Sequence, residues 1–363
     1  MNWYDDHDTD ALDTPYLAVD LDILEANIAR QTSRAASLGV ALRPHAKTHK
    51  CAQIAHRQIA SGAVGLTVAT ISEAEAFTNA GITDLFIAYP LWLTASKGER
   101  LRRLSREVSL RLAVDSVESA NAMATALSTE RSRVQVVVEV DSGQHRTGAK
   151  PDEAGSIAAH AQSLGLDVAG VFTFPGHGYG PDRRAAAAKE EAQALTMAAD
   201  SLRAEGIDPV VRSGGSTPTI AFADPGVLTE IRPGVYPFND AQQVELGTVD
   251  MADVALTAVA TVVHRNGTRI LVDAGSKILG ADRSDWASGF GRLLLHIDAR
   301  IVALSEHHAT IEMPEGSQIR LGDEIRLVPN HVCSAVNLVD ELVVTRSGSS
   351  HERWKVIARG ANT

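Results

Sequence analysis

Between Leu42 and Lys50 the chain reads Leu42-Arg43-Pro44-His45-Ala46-Lys47-Thr48-His49-Lys50, a lysine set between two histidines at the end of an apolar run. Pro44 lacks a backbone donor and biases Arg43 to extended geometry, so the segment reads as a strand end. Period-2 alternation then places His45, Lys47 and His49 on one face. A lysine facing inward among imidazoles sits in a partly dry, electropositive place, and its free amine becomes available as a Schiff-base nucleophile. The competing reading is a basic surface patch on a strand edge.

Two further groupings bear chemistry. The segment Ser213-Gly214-Gly215-Ser216-Thr217 supplies small residues, amides and hydroxyls that can cradle a phosphate. Downstream, Ile231-Arg232-Pro233-Gly234-Val235 repeats the strand-to-glycine pattern and adds backbone donors for the same anion. A Schiff-base lysine together with a phosphate cradle points to pyridoxal phosphate. Near the other end, His331 and Cys333 stand two apart, so in an extended segment both point one way and can share an ion. Imidazole plus thiolate suits Zn²⁺ best, with Mn²⁺ or Co²⁺ able to enter. Two protein ligands leave positions open for water and substrate oxygens, which is the pattern of a catalytic ion. Against this, Cys333 can be read as a small buried hydrophobe and His331 as a turn residue. Glu306-His307-His308 is an outer contact to the ion or a solvated turn. His177, in Phe174-Pro175-Gly176-His177-Gly178-Tyr179, is the best-placed base beyond Lys47, or else a packed structural histidine.

These groups need a scaffold that brings distant segments to one mouth. With 363 residues, one large domain plus a smaller one is expected. Up to about residue 240, eight strand-like runs alternate with amphipathic stretches, beginning Tyr16–Val19, Ala41–His45 and Gly65–Ala69 and ending Val210–Ser213. That rhythm predicts a (β/α)₈ barrel over residues 15–245 with functional groups at the C-terminal strand ends. A doubly wound sheet is the alternative, but no G-x-G-x-x-G opens a helix after the first strand. From residue 250 to 363 the pattern turns to short strands, with Asn266-Gly267 as a hairpin signal, and predicts an all-β domain joined by residues 1–14. A net charge of −11 with no long basic run argues against nucleic acid or an anionic membrane as partner. Only Cys51 and Cys333 occur and the acidic start Met1-Asn2-Trp3-Tyr4-Asp5-Asp6 lacks signal-peptide order, so a cytoplasmic setting is expected.

The order of barrel then β-domain, with an early lysine, resembles the fold type III pyridoxal-phosphate enzymes, the alanine racemase-like group. Within it, Arg43–Lys50 and Val328-Pro329-Asn330-His331-Val332-Cys333 resemble the D-threonine aldolase and D-serine dehydratase family. Phe86-Ile87-Ala88-Tyr89-Pro90-Leu91-Trp92 and Phe172–Gly180 look most like low-specificity D-threonine aldolases. The resemblance implies pyridoxal phosphate on Lys47, a divalent metal on His331 and Cys333, and a homodimer. It further implies Arg146 near the cofactor's phenolic oxygen, Tyr179 and Thr217 in contact with the cofactor, and Gly234 and Val235 as phosphate-binding backbone. Arg232 takes the place of the arginine that alanine racemases set on the pyridine nitrogen. Lys277 is either a residue facing a partner subunit's pocket or plain surface. The implied reaction is retro-aldol cleavage of a D-β-hydroxy-α-amino acid to glycine and an aldehyde. A D-serine or D-3-hydroxyaspartate dehydratase is the alternative within the family, and an amino-acid racemase the alternative outside it.

Overall fold

The computed structural model describes residues 12–346 and 350–363. The first nine strands are β1 (Tyr16–Asp20), β2 (Ala41–Leu42), β3 (Leu66–Val68), β4 (Asp84–Ile87), β5 (Ser109–Val114), β6 (Val134–Glu139), β7 (Asp167–Phe172), β8 (Val211–Gly214) and β9 (Glu230–Ile231). All but β1 form one parallel sheet in the order β2-β9-β8-β7-β6-β5-β4-β3. A parallel bridge between His45 and Thr67 joins its two edges, and the Thr67 amide donates to the Pro44 carbonyl at 2.8 Å. The expected eight-stranded barrel is therefore present, with helices between its strands.

Its strand count differs from the expectation in one respect. Tyr16–Val19 does not open the barrel: β1 lies in the second sheet, antiparallel to β10 (Leu256–Asn266) and parallel to the later strand Glu341–Arg346. Leu17, Ala18 and Val19 are all buried, so this run is covered on both faces and its pattern carries no mark of which sheet receives it. The eighth barrel strand is β9, two residues long and too short to show a period. The barrel segment thus begins after Asp20 rather than at residue 15, and Lys47 follows the first barrel strand rather than the second. The loop at Gly214–Thr217 follows the seventh strand, and Gly234 follows the eighth. Of the N-terminal stretch 1–14 expected in the β-domain, residues 1–11 lie outside the described residues.

The second sheet adds β11 (Arg269–Val272), β12 (Gly291–Leu293), β13 (Arg300–Leu304), β14 (Ala309–Glu312), β15 (Glu324–Pro329), β16 (Glu341–Arg346) and β17 (Ser350–Lys355). Nine strands run in the order β11-β14-β13-β12-β15-β10-β1-β16-β17, almost all antiparallel. Asn266-Gly267 makes the β10–β11 turn, with Gly267 at φ 62°. The helix Leu21–Leu38 links the two sheets; Asp20 caps its start by accepting the Ile23 amide at 3.1 Å, and Gly39 ends it at φ 67°. Inside the barrel, Phe86 and Phe172 meet edge to face at 5.0 Å between ring centres. The second core runs from β1 through Trp354 and meets the barrel beside the cavity described next.

Candidate active site

Extended geometry ends at His45. Ala46–Thr48 is a single 3-10 turn, and the His45 ring accepts the Lys47 amide at 3.4 Å. The turn breaks the alternation, so His45 and Lys47 face one cavity while His49 points into the packing. There His49 accepts the Cys51 amide at 3.1 Å, meets Gln58 at 3.2 Å and stands edge-on to Phe77. Lys47 is thus flanked by one imidazole in the cavity, not two. Burial, then Lys47, Arg232 and His49, hold His45 well below the usual imidazole value, so it is neutral. Lys50 is buried on Glu73 at 3.3 Å and Asn337 at 2.8 Å.

The cavity has a volume of about 370 Å³, within the range of small-molecule sites. From the barrel it is lined by Lys47, Phe174, Tyr179, Ser216, Arg232 and the Gly234–Val235 backbone. The Lys47 ammonium lies 5.8 Å from the centre of the Phe174 ring. Gly234 has a steric reason to be glycine: a Cβ there would come within 3.0 Å of Thr48 Oγ1 and 3.2 Å of the His45 Cβ. Tyr179 hydrogen-bonds Thr217, and its phenol is raised by burial and by the neighbouring Cys333 and Asp240. An amine, two hydroxyls, a flat aromatic wall and a backbone that passes close by form a donor set that fits pyridoxal phosphate.

Other expected contacts fall outside the cavity. Gly215, at φ 76°, gives its amide to Glu191 at 2.6 Å, and a Cβ on Gly214 would approach Glu191 Oε1 to 2.3 Å. These two glycines make room for a buried carboxylate rather than a phosphate. Burial pushes Glu191 up to about 7. Thr217 stands behind the wall, accepting the Val235 amide at 3.2 Å. Arg146 is exposed and lies 5.5 Å from the Phe174 ring, on that ring rather than in the cavity. His177 turns to Glu190 at 2.7 Å and does not line the cavity, which removes it as the base expected there. Lys277 pairs with Glu306 at 2.6 Å in an exposed turn, so Glu306-His307-His308 is the solvated turn.

From the β-domain side, His331 and Cys333 line the same cavity. They do so from a helix start rather than an extended run: His331 precedes the short helix Val332–Val336. The cysteine thiol reaches Thr48 Oγ1 at 3.2 Å. Burial alone would raise that thiol, but the charge and hydrogen bond of His331, then Lys47 and Thr48, hold it below its ordinary value. His331 is raised well above the usual imidazole value, since Cys333, Asp282 and Asp240 outweigh its burial. The two shifts favour the thiolate–imidazolium form of the pair, and a metal would replace the proton between them. Among the described residues no three such groups converge on one point.

Two carboxylates of this site escaped the sequence reading. Asp240 is buried, lines the cavity and is pushed up to about 6 by burial. Its signal was its place before Ala241, as the cap of the helix Ala241–Glu245, where it accepts the Gln243 amide at 3.0 Å. Asp282 hydrogen-bonds His331 Nδ1, and nothing in the local pattern marked it.

Comparison with known proteins places this geometry. Residues 19–241 match the alanine racemase N-terminal domain, and residues 255–345 match a putative serine dehydratase domain. The D-threonine aldolase of Arthrobacter sp. is 34% identical over 359 residues, 96% of this chain and 93% of that protein. The D-threo-3-hydroxyaspartate dehydratase of Delftia sp. (strain HT23) is 34% identical over 349 residues, 89% of this chain and 91% of that one. Solved variants of D-threo-3-hydroxyaspartate dehydratase replace a histidine and a cysteine two positions apart, the latter in a metal-free form. The crystal structure of D-threonine aldolase from Filomicrobium marinum superposes with a TM-score of 0.88 at 32% identity, covering 97% of both chains. The matched domains and the fold place the chain in the fold type III group of pyridoxal-phosphate enzymes. The chain belongs to the alanine racemase-like family, among whose members the D-threonine aldolase and the D-threo-3-hydroxyaspartate dehydratase named above are lyases. No helix among the described residues is long and apolar enough to cross a membrane.

Proposed function

We propose that this protein is a pyridoxal-phosphate- and divalent-metal-dependent lyase that cleaves a D-β-hydroxy-α-amino acid to glycine and an aldehyde. One observation carries the reading: the Lys47 amine and the His331–Cys333 donor pair, from opposite domains, line a single cavity of about 370 Å³. Lys47 would hold the cofactor's aldehyde carbon, while Gly234, Ser216 and Tyr179 would hold its phosphate; the Val235 amide, expected there too, is taken by Thr217. When bound, the cofactor supplies an electron sink for bond breaking at Cα. His331 and Cys333 would hold Zn²⁺ or Mn²⁺, and Lewis-acid polarisation of the β-hydroxyl is the chemistry such an ion supplies there.

Asp282 takes the role first assigned to His177. It lines the cavity half-exposed, and its bond to His331 keeps its carboxyl below the ordinary value against the partial desolvation there, so it is ionised and able to accept a proton near the β-oxygen. His45 is less free, because its ring is held by the Lys47 amide and by Thr67.

Dehydration is the second reading. The spacing of His331 and Cys333 equals that of the two residues replaced in the solved dehydratase variants, which favours it. In that case Lys47 takes the Cα proton and the hydroxyl leaves. The test is product analysis with D-threonine in the presence of pyridoxal phosphate and Mn²⁺ or Zn²⁺. Glycine with acetaldehyde supports cleavage, and 2-oxobutyrate with ammonia moves the chain to the dehydratases.

A further inference from the structure

Beyond the metal pair, the cavity carries a cation that neither the reaction nor a neighbouring carboxylate uses. Arg283 follows Asp282, the residue bonded to His331, and lines the cavity beside Ser284. Arg283 is exposed at the cavity's edge, and its guanidinium lies 4.8 Å from the centre of the Phe290 ring, a cation–π contact that uses none of its N–H donors. Among the described residues no carboxylate pairs with it.

The other cations are already committed. Lys47 is the cofactor's residue. Arg232 is buried, donates to Ser213 Oγ at 2.9 Å and to the Thr173 carbonyl, and is ringed by Glu230, Glu191 and Glu139. Arg146 lies outside the cavity lining. Arg283 is therefore the cation with donors to spare, and it is next in the chain to Asp282, which hydrogen-bonds His331 of the metal pair.

We propose that Arg283 forms a subsite for an anionic group on the substrate's β-carbon, so that the favoured substrate class is a D-3-hydroxyaspartate-type dicarboxylate rather than D-threonine. This rests on the assignment of the β-hydroxyl to the metal pair. A β-carboxylate there would meet the fork of Arg283 in a bidentate, charge-assisted contact, whereas a β-methyl would leave those donors unused. The α-carboxylate, common to both substrates, would not distinguish them.

The test has two parts. In turnover, kcat/KM for 3-hydroxy-D-aspartate should exceed that for D-threonine. Arg283→Gln should then lower the former at least about tenfold, mainly through KM, while D-threonine changes less than about threefold. Equal losses on both substrates would assign Arg283 to the α-carboxylate and overturn the proposal, as would no loss on either. In binding, calorimetry of the cofactor-loaded protein with succinate and butyrate compares a second carboxylate with a methyl on the same four-carbon skeleton. Succinate should bind more tightly to the wild type, and Arg283→Gln should erase the difference. Equal affinities in the wild type would overturn the subsite. If neither amino acid turns over but the succinate preference and its loss are seen, the subsite stands and the lyase reading fails.

Discussion

Asp240 accepts the amide of Val332 at 3.1 Å, so a buried carboxylate of the barrel segment holds the turn that carries His331 and Cys333. The same side chain caps the helix Ala241–Glu245. One residue thereby fixes the β-domain's donor pair against the wall that carries Lys47, and the site is assembled across the two sheets.

The first expectation follows from that link. Asp240→Ala removes a helix cap and leaves the Val332 amide unpaired, a combined cost of about 2–4 kcal/mol. Asp240→Asn keeps one acceptor and should cost less. Denaturant unfolding of the apo-protein measures the stability, and metal titration should show weaker binding in both variants. Unchanged metal affinity in Asp240→Ala would separate this residue from the pair.

Lys47 and Lys50 make a contrast three residues apart. Lys47→Ala should lose the visible absorbance of the bound cofactor and all turnover with little change in stability, since its amine faces the cavity. Lys50→Ala should keep the absorbance but lose about 3–5 kcal/mol, because it strips a buried Glu73 of its partner. Borohydride reduction followed by fragment mass spectrometry should locate the adduct on Lys47; an adduct on Lys50 would reverse the assignment.

The contrast also shows what the residues revealed and where they stopped. A lysine beside a strand-ending proline was enough to find the cavity's amine. Period-2 logic failed two residues later, because the 3-10 turn at Ala46–Thr48 swings His49 into the core. His331 and Cys333 were found by residue type, although they sit at a helix start rather than on an extended run. Barrel architecture was legible from alternating patterns, whereas the assignment of β1 to the other sheet depends on long-range pairing with β10 and β16 that no local window contains. His177 was misplaced for a similar reason. Its partner Glu190 comes from the following helix, and only the folded chain shows the two at 2.7 Å.

Metal removal should separate the two halves of the site. Chelation is expected to abolish lyase activity while the cofactor's absorbance persists, because the amine and the phosphate wall do not depend on the β-domain pair. His331→Ala and Cys333→Ala should each lose bound metal and activity and retain the absorbance. Full metal content in both variants, measured by elemental analysis, would make the pair structural.

Acid stability should carry the mark of His49. Burial lowers its pKa from the ordinary imidazole value to about 4. Between the unfolded value and that one, the unfolded chain binds a proton that the folded chain refuses. Its contribution is therefore complete above about pH 6.5 and is lost progressively as pH falls toward about 4, up to about 3 kcal/mol. His49→Asn retains an acceptor for the Cys51 amide and has no titrating group. Urea unfolding at about pH 5 and about pH 7.5 should show a smaller difference for the variant than for the wild type. Equal differences would mean that His49 is not the group responsible.

The remaining question is which bond breaks, and the substrate's own hydrogen answers it. Aldol cleavage severs Cα–Cβ and leaves Cα–H in place, whereas dehydration must first remove that hydrogen, a task for which Lys47 is the cavity's available base. With D-threonine deuterated at Cα, cleavage should show little primary isotope effect and release glycine that retains the label, together with acetaldehyde. Dehydration should give 2-oxobutyrate and ammonia, with a primary effect when proton removal limits the rate. D-Serine adds a second contrast, formaldehyde against pyruvate. The expected result is labelled glycine and an aldehyde, with Asp282 as proton acceptor at the β-oxygen. Asp282→Asn should then depress cleavage while the cofactor's absorbance is kept. An oxoacid as main product from both substrates would assign Lys47 the proton and this chain the dehydratase reaction.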